Sequence, residues 1–503
     1  MTTHSLPARP DLERLKRSAK TLRDDVRRGS PVAIERVREH HPRLGELTAG
    51  SRAATGFKLA DAQLTVARRY GFPSWPRLTG FVDVVNRLSR SPHEQPVGQP
   101  LADDAARADE LLRLACLNYG ADDAARPAQA RLLLSAHPHL ARWSIHTMAA
   151  VGDAAAAGVL LDADPRQADR LGGPFGWEPL LYAAYSRLDD GDPAHDTLEV
   201  ARLLLANGAD PNAGFLWDGL VPPFTALTGA FGRGEGAQPP HPRSLELARL
   251  LLEAGADPND SQTVYNCGPG DMATDDTEFL GLLIEFGFGR GDGGPWFRRL
   301  APEYPTPSEL MAEALQHAAQ AGLVRRTRLL LANGADPDGR GGHPLYGGRT
   351  AYQAAVLHGN VEVAGLLVDA GAAPSGVDPL SRFVGVCMAG DQAAVDAALA
   401  DDPSLLERAL LLRPDLVARA SELGRPDAVR LMVDLGFDVN ARHRTTALHE
   451  AAWRGDVGLA RVLVELGADP SATDTEHDST PRGWAEYGGQ AEMAAYLAGL
   501  ESG

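Results

Sequence analysis

Residues 436 to 471 read GFDVNARHRTTALHEAAWRGDVGLARVLVELGADPS, and one phrase, Leu-Gly-x-Asp-(Val/Pro)-(Asn/Ser), occurs at both ends, at Leu435 to Asn440 and again 31 residues later at Leu466 to Ser471. A period of this size marks a repeat array, in which each unit is too small to bury its apolar face alone and must stack on its neighbours. Variants of the phrase stand at Leu203 to Asn212 (LLLANGADPN), Leu250 to Asn259 (LLLEAGADPN), Leu329 to Asp338 (LLLANGADPD) and Leu366 to Ser375 (LLVDAGAAPS), each closing an amphipathic run of helical spacing.

The conserved letters of the phrase have physical jobs. Gly436 and Gly467, like Gly208, Gly255 and Gly334, sit just past a leucine-rich helix, where a residue with positive φ closes the last turn and glycine adopts it without strain. The Asp and the Asn or Ser that follow turn the chain by bonding their own backbone. Thr446 is placed to cap the next helix, and His449 offers ring nitrogens to neighbouring loops. His449-Glu450 also begins like a zinc-protease HExxH, but Trp453 occupies the second histidine position, so that reading fails.

Thr446-Ala447-Leu448-His449-Glu450-Ala451-Ala452 and Gly467-Ala468-Asp469-Pro470-Ser471 resemble the ankyrin-repeat family, which writes Thr-Pro-Leu-His-x-Ala-Ala and Gly-Ala-Asp-x-Asn at these places. The resemblance implies stacked helix-turn-helix units and recognition of a partner along an elongated face. It implies no particular chemistry. Other units lose the phrase and keep the helices: ARLLLSAHPHL at 130 to 140, GVLLDADPRQA at 158 to 168 and AALADDPSLL at 397 to 406 end on a proline stop instead. Counting both endings gives boundaries near residues 138, 165, 208, 255, 287, 334, 371, 402, 436 and 467. The expected fold is therefore all-α, an ankyrin-like solenoid of about ten to twelve units, closed by a half-regular unit from Thr480 to Leu500.

Charge divides the chain. Residues 1–90 hold 18 Lys and Arg against 9 Asp and Glu, a balance of +9, so the remainder carries −27 toward the total of −18. The expected domains are a basic helical amino-terminal domain at 1–90, a Pro, Ser and Gln-rich linker at 91–102, and the solenoid at 103–503 with insertions near 213–244 and 260–308. Two stretches of the basic segment, FKLADAQL at 57 to 64 and YGFPSWPRL at 70 to 78, resemble a segment preceding the repeats of many bacterial ankyrin proteins. Its arginines alternate with acids at 11, 13, 24, 25, 35 and 39, the pattern of a solvated helix face, and the acidic array would repel a polyanion. Nucleic acid is therefore disfavoured as a partner.

The insertions are where a binding surface is expected, because inserted loops emerge on one face of a stack. Aromatic rings in Gly- and Pro-rich loops are candidate anchors for a protein partner: Phe215, Trp217, Trp296 and Phe297, with Tyr265, Asn266 and Asp271 beside them. Arg442 and Arg444 form a basic patch at a hairpin tip within an acidic array. The alternative is an enzyme or small-ligand binder with Asp271, Asp275, His241, Tyr265 and Asn266 in a pocket under the inserted loops.

Catalytic signatures fail. There is no G-x-S-x-G, no Walker loop and no C-x-x-C; Gly289-x-Gly291-x-x-Gly294 lacks the preceding strand that dinucleotide binding needs. His40-His41 and His137-x-His139 lack a matched ligand set, and Asp275-Asp276 reads as a helix cap more readily than as a cation site. No cofactor or metal is expected, and the reading leans away from an enzyme. Cys116, Cys267 and Cys387 are odd in number and far apart, and no run of eighteen apolar residues or signal-like amino terminus is present, so a cytoplasmic protein without a membrane span is expected.

Overall fold

A computed structural model of the chain describes all residues except 1–5, 8, 96–100, 121, 124, 190–194, 235, 237, 269–274, 344–345 and 502–503. Asp271 and part of the segment 91–102 lie outside the described residues. The described residues are mostly helical, and they form two compact units, residues 1–273 with 278–310 and residues 274–277 with 311–503.

In the second unit the helices alternate in short pairs: Ala351–Leu357 with Val361–Asp369, Leu416–Glu422 with Pro426–Asp434, Ala447–Arg454 with Val457–Glu465, and Pro481–Tyr487 with Ala491–Glu501. The first helices of the last three pairs stack on one another, as do the second helices, so leucines and alanines from successive pairs form one core that includes Leu416, Leu448, Ala451, Leu463 and Ala485. The first unit repeats the scheme with Ile145–Val151, Pro179–Tyr185, Ala226–Phe231 and Ser261–Cys267 in the place of the first helices.

The closing phrase works as its letters suggest, and it does one thing more. Gly208, Gly255, Gly334, Gly436 and Gly467 all have φ between +92° and +101°, and a Cβ on any of them would meet nothing within 4 Å. Backbone conformation alone selects glycine there. Asp438 Oδ1 accepts the Asn440 N–H at 2.9 Å, and Asp469 Oδ1 accepts the Ser471 N–H at 2.8 Å, the expected self-bonded turns. Asn440 then reaches forward: its Nδ2 donates to the Gly467 carbonyl at 2.9 Å and its Oδ1 accepts the Asp469 N–H at 2.8 Å. Asn212 makes the same pair of bonds to Gly255 and Asp257. The phrase thus turns its own chain with the Asp and ties to the next phrase with the Asn.

The amino-terminal helices Leu12–Arg27, Pro31–His40, Leu59–Arg69 and Trp75–Leu88 bury Leu15, Leu22, Val37, Phe57, Phe72 and Phe81 in a core that also contains Leu216, Trp296, Leu300 and Tyr304. Ser89–Arg90 pairs in parallel with Leu216–Trp217, and Gly214–Phe215 pairs antiparallel with Phe224–Thr225, a three-stranded ribbon inserted among helices. The interleaved charges meet as ion pairs, Lys16 with Glu13, Arg28 with Asp25 and Arg38 with Glu35, on exposed faces where such pairs contribute little. Among the described residues no helix is long and apolar enough to cross a membrane.

Candidate functional site on the first helices of the second unit

Thr446 begins the helix Ala447–Arg454 in extended conformation, and its N–H lies 3.2 Å from His449 Nδ1, with its hydroxyl 2.8 Å from the same nitrogen. The opposite ring nitrogen, Nε2, lies 3.0 Å from the Ser479 carbonyl. Burial pushes the His449 imidazole below its ordinary value, so it stays neutral, with Nδ1 accepting and Nε2–H donating across to the next unit. His449 is a structural tie.

That tie fixes the finger from Asp474 to Ser479. The Asp474 carboxylate accepts N–H groups from Glu476 at 2.8 Å, His477 at 2.7 Å and Ser479 at 3.1 Å, and the Trp484 indole N–H at 2.9 Å. Burial works to raise its pKa, but these donors outweigh burial and hold the carboxyl well below the usual range. One carboxylate therefore sets both the finger and the orientation of Trp484.

Around this scaffold aromatic rings accumulate at the surface. Trp453 lies in the last turn of its helix, two residues before Gly455, and Tyr487 ends the next first helix, two residues before Gly489, so equivalent positions of successive units bring the rings side by side. Their centroids are 6.2 Å apart at an interplanar angle of 24°, and Trp484 meets Trp453 edge-on at 6.0 Å. Trp453 is 45% exposed and Tyr487 88% exposed. The Arg444 guanidinium lies 5.9 Å over the Trp484 ring and 3.9 Å from Glu476, while Arg442 donates to the Thr473 carbonyl at 2.8 Å. Both arginines are exposed. Trp453 and Tyr487 escaped the sequence reading, although their common place before the closing glycine was a visible signal.

The other expected site residues lie elsewhere. Phe215 is buried and stacks on Trp177 at 4.9 Å, and Trp296 is buried with its indole N–H on the Asn212 carbonyl at 3.1 Å. Trp217 is half-buried, stacked on His93 at 4.2 Å, and donates to the Asn118 carbonyl at 3.2 Å; Phe297 packs against the amino-terminal core. Asn266 is buried and donates to the Tyr119 hydroxyl and the Gly232 carbonyl, both at 3.1 Å, while Tyr265 on the same helix is half-buried. These insertion rings are occupied by the protein's own packing.

Of the polar set expected under the inserted loops, His241 is buried, with Nε2 2.9 Å from the Thr197 hydroxyl, which itself donates to Asp189 at 2.8 Å. Burial lowers the His241 pKa to about 3, and Thr197 is sealed from solvent, so this Asp, Thr and His arrangement is a satisfied core network with no access for a substrate. Asp275 does act as a helix cap, but not for the helix Glu278–Glu285 that follows it in sequence: it accepts the Arg325 N–H at 2.7 Å and the Arg326 N–H at 3.0 Å, at the start of Val324–Ala332.

Residues 417–464, which span the paired helices carrying Trp453, match the family model "Ankyrin repeats (many copies)", and residues 175–214 match the model "Ankyrin repeat". The chain carries ankyrin repeats. Forty-nine residues are 53% identical to part of a potassium channel, AKT3, of Oryza sativa subsp. japonica, covering 10% of this chain and 5% of that protein. The chain therefore matches about a twentieth of that relative's length, over a segment of roughly one and a half ankyrin units.

Proposed function

We propose that the chain is a protein-recognition module whose principal contact surface is the exposed face of the first helices around Trp453 and Tyr487, with Arg442 and Arg444 on the neighbouring finger. The supporting observation is the pair of stacked, solvent-facing rings at equivalent positions of successive ankyrin units. Large rigid rings bury much area for little conformational entropy, and Trp, Tyr and Arg dominate the energetics of protein interfaces. A core function does not account for a Tyr487 ring that is 88% exposed. Ankyrin repeats generally mediate contacts between proteins, and the repeat pattern, counted along the sequence, runs to about ten to twelve units. Three buried free thiols fit a reducing cytoplasm.

The test places a photo-crosslinking p-benzoylphenylalanine at Tyr487 in the intact protein, identifies the adduct by mass spectrometry, and measures the purified partner's affinity. Trp453→Ala and Tyr487→Ala should each weaken it by about 1–3 kcal/mol, and Arg444→Ala by less. Unchanged affinity in both aromatic variants would remove this face from the interface.

A further inference from the structure

A second surface feature lies in the first unit. Residues from the helices Asp104–Ala115 and Ile145–Val151 and from the turn at 167–173 line a cleft of about 440 Å³, within the size range of pockets that hold a side chain or a small ligand. Its floor exists because Gly172 and Gly173 let the turn lie flat: a Cβ on Gly172 would fall 2.4 Å from the His146 ring, and one on Gly173 2.4 Å from the Tyr182 hydroxyl.

The polar groups of that floor are satisfied internally. His146 Nε2 lies 2.7 Å from the Arg170 carbonyl, and burial lowers the pKa of the imidazole, which leaves it neutral and donating. The Tyr182 hydroxyl donates to the Gly172 carbonyl at 2.9 Å and accepts the Phe175 N–H at 3.2 Å. The Asp109 carboxylate differs. It lines the cleft half-buried, with burial raising its pKa and Arg113 opposing the rise from a distance, and it makes no hydrogen bond or ion pair with any described residue. Trp143 and Leu171, 51% and 55% exposed, line the same cleft. The Arg170 guanidinium at the margin is exposed and bonded to Gln167 Oε1 at 3.2 Å.

We propose that this cleft receives a basic side chain of a partner polypeptide, with Asp109 as the counter-charge and Trp143 and Leu171 covering the aliphatic stem. A half-desolvated carboxylate without a partner is costly, and a guanidinium relieves it with paired N–H donors while its plane stacks on an indole. The neutral imidazole adds no opposing charge, and the Leu112 and Leu160 side chains in the lining suit a methylene stem rather than a free ion. The inference rests on the chain binding polypeptides, but it concerns a site other than the Trp453 face.

The experiment uses the full chain and four fluorescein-labelled heptapeptides, GSGRGSG and its lysine, citrulline and glutamate counterparts, read by fluorescence anisotropy. The arginine and lysine peptides should bind saturably, and the citrulline and glutamate peptides at least about tenfold more weakly. Asp109→Asn, nearly isosteric, should lose at least about tenfold with a thermal midpoint no lower than the parent's, because it also removes an unpaired half-buried charge, and Trp143→Ala should also bind more weakly. Trp453→Ala should bind as the parent does, which keeps this result separate from the fate of the first-helix face. The proposal is overturned if neither basic peptide saturates by about 5 mM, if citrulline binds as well as arginine, or if Asp109→Asn binds as the parent does. It is equally overturned if the glutamate peptide binds best and depends on Arg170, which would make the cleft an anion site.

Discussion

Asp260 and His241 are buried titratable groups of the same unit with opposite pH signatures. Burial raises the Asp260 carboxyl from 3.8 to about 6, although Thr225 and the Thr263 N–H both bond it. A folded-state pKa above the unfolded one means that the folded form holds the proton longer, so the favourable contribution is full below pH 3.8 and is lost as pH rises through about 6. Asp260→Asn should therefore melt at a higher temperature than the parent at pH 7, by an amount equivalent to about 1–3 kcal/mol, with the advantage gone near pH 4. Calorimetry at both pH values decides it; a variant less stable at pH 7 would show that the charge is compensated. His241, His317 and His358 are each lowered by burial to about 3, so they stay neutral in the folded protein, and their contribution is lost as pH falls from 6.5 toward 3. None of this was legible in the sequence, where His241 sits in a proline-rich insertion and looks like a loop residue. What could be read at this scale was local: an Asp bonding two residues along, or Thr446 placed to cap. The forward bonds of Asn440 were hidden because their partners belong to the next unit. Asn440→Ala should lower stability by about 1–2 kcal/mol, since it removes the acceptor of the Asp469 N–H and the donor to the Gly467 carbonyl. A loss confined to the experimental error of denaturant titration would make that tie dispensable.

The helix pairs themselves were legible, because leucine spacing, a capping Thr and a closing Gly repeat at a fixed period and each acts locally. The direction of a ring in an insertion was not. Phe215 and Trp296 look alike in sequence whether they face a partner or their own fold, and only the ribbon at 214–217 and the helix Gly294–Leu300 decide it. Trp453 and Tyr487 give the opposite case: each stands on a regular helix, where exposure follows from register, and their recurrence before a closing glycine is a signal that the sequence reading passed over. The two classes should separate experimentally. Trp296→Ala removes a ring that is 4% exposed from a core shared with Leu300 and Tyr304, and should cost about 3–5 kcal/mol. Tyr487→Ala should cost less than about 1 kcal/mol, because its ring is 88% exposed, and Trp453→Ala, 45% exposed, should cost more than that but clearly less than Trp296→Ala. Equal losses in urea titrations of the three variants would mean that the Trp453 and Tyr487 pair is a packing element.

At the scale of the molecule, the charge reversal near residue 90 suggested a separate basic module, while the interactions that hold it are long-range and left no mark on the sequence. Leu216 and Trp296 join Phe57, Phe72 and Phe81 in one core, and Ser89–Arg90 adds a parallel strand to Leu216–Trp217. A helical segment that lends its apolar face to an insertion of the repeats gives the insertion a reason to be there: the inserted ribbon is a socket as well as a loop. Covalent continuity through residues 91–102 then contributes less than the shared core. We therefore expect that a chain carrying a site-specific protease sequence between Gln95 and Leu101, once cut, elutes from a sizing column as one species containing residues 1–90 and the remainder. Adding Trp296→Ala to the cut chain should release the amino-terminal piece, because the ring that both parts bury is gone. If the cut parent separates on its own at micromolar concentration, the core contributes too little to hold the segment and the linker does the joining. If the cut Trp296→Ala chain stays together while remaining folded by circular dichroism, the ribbon pairing at Ser89–Arg90, rather than the indole, is the decisive contact.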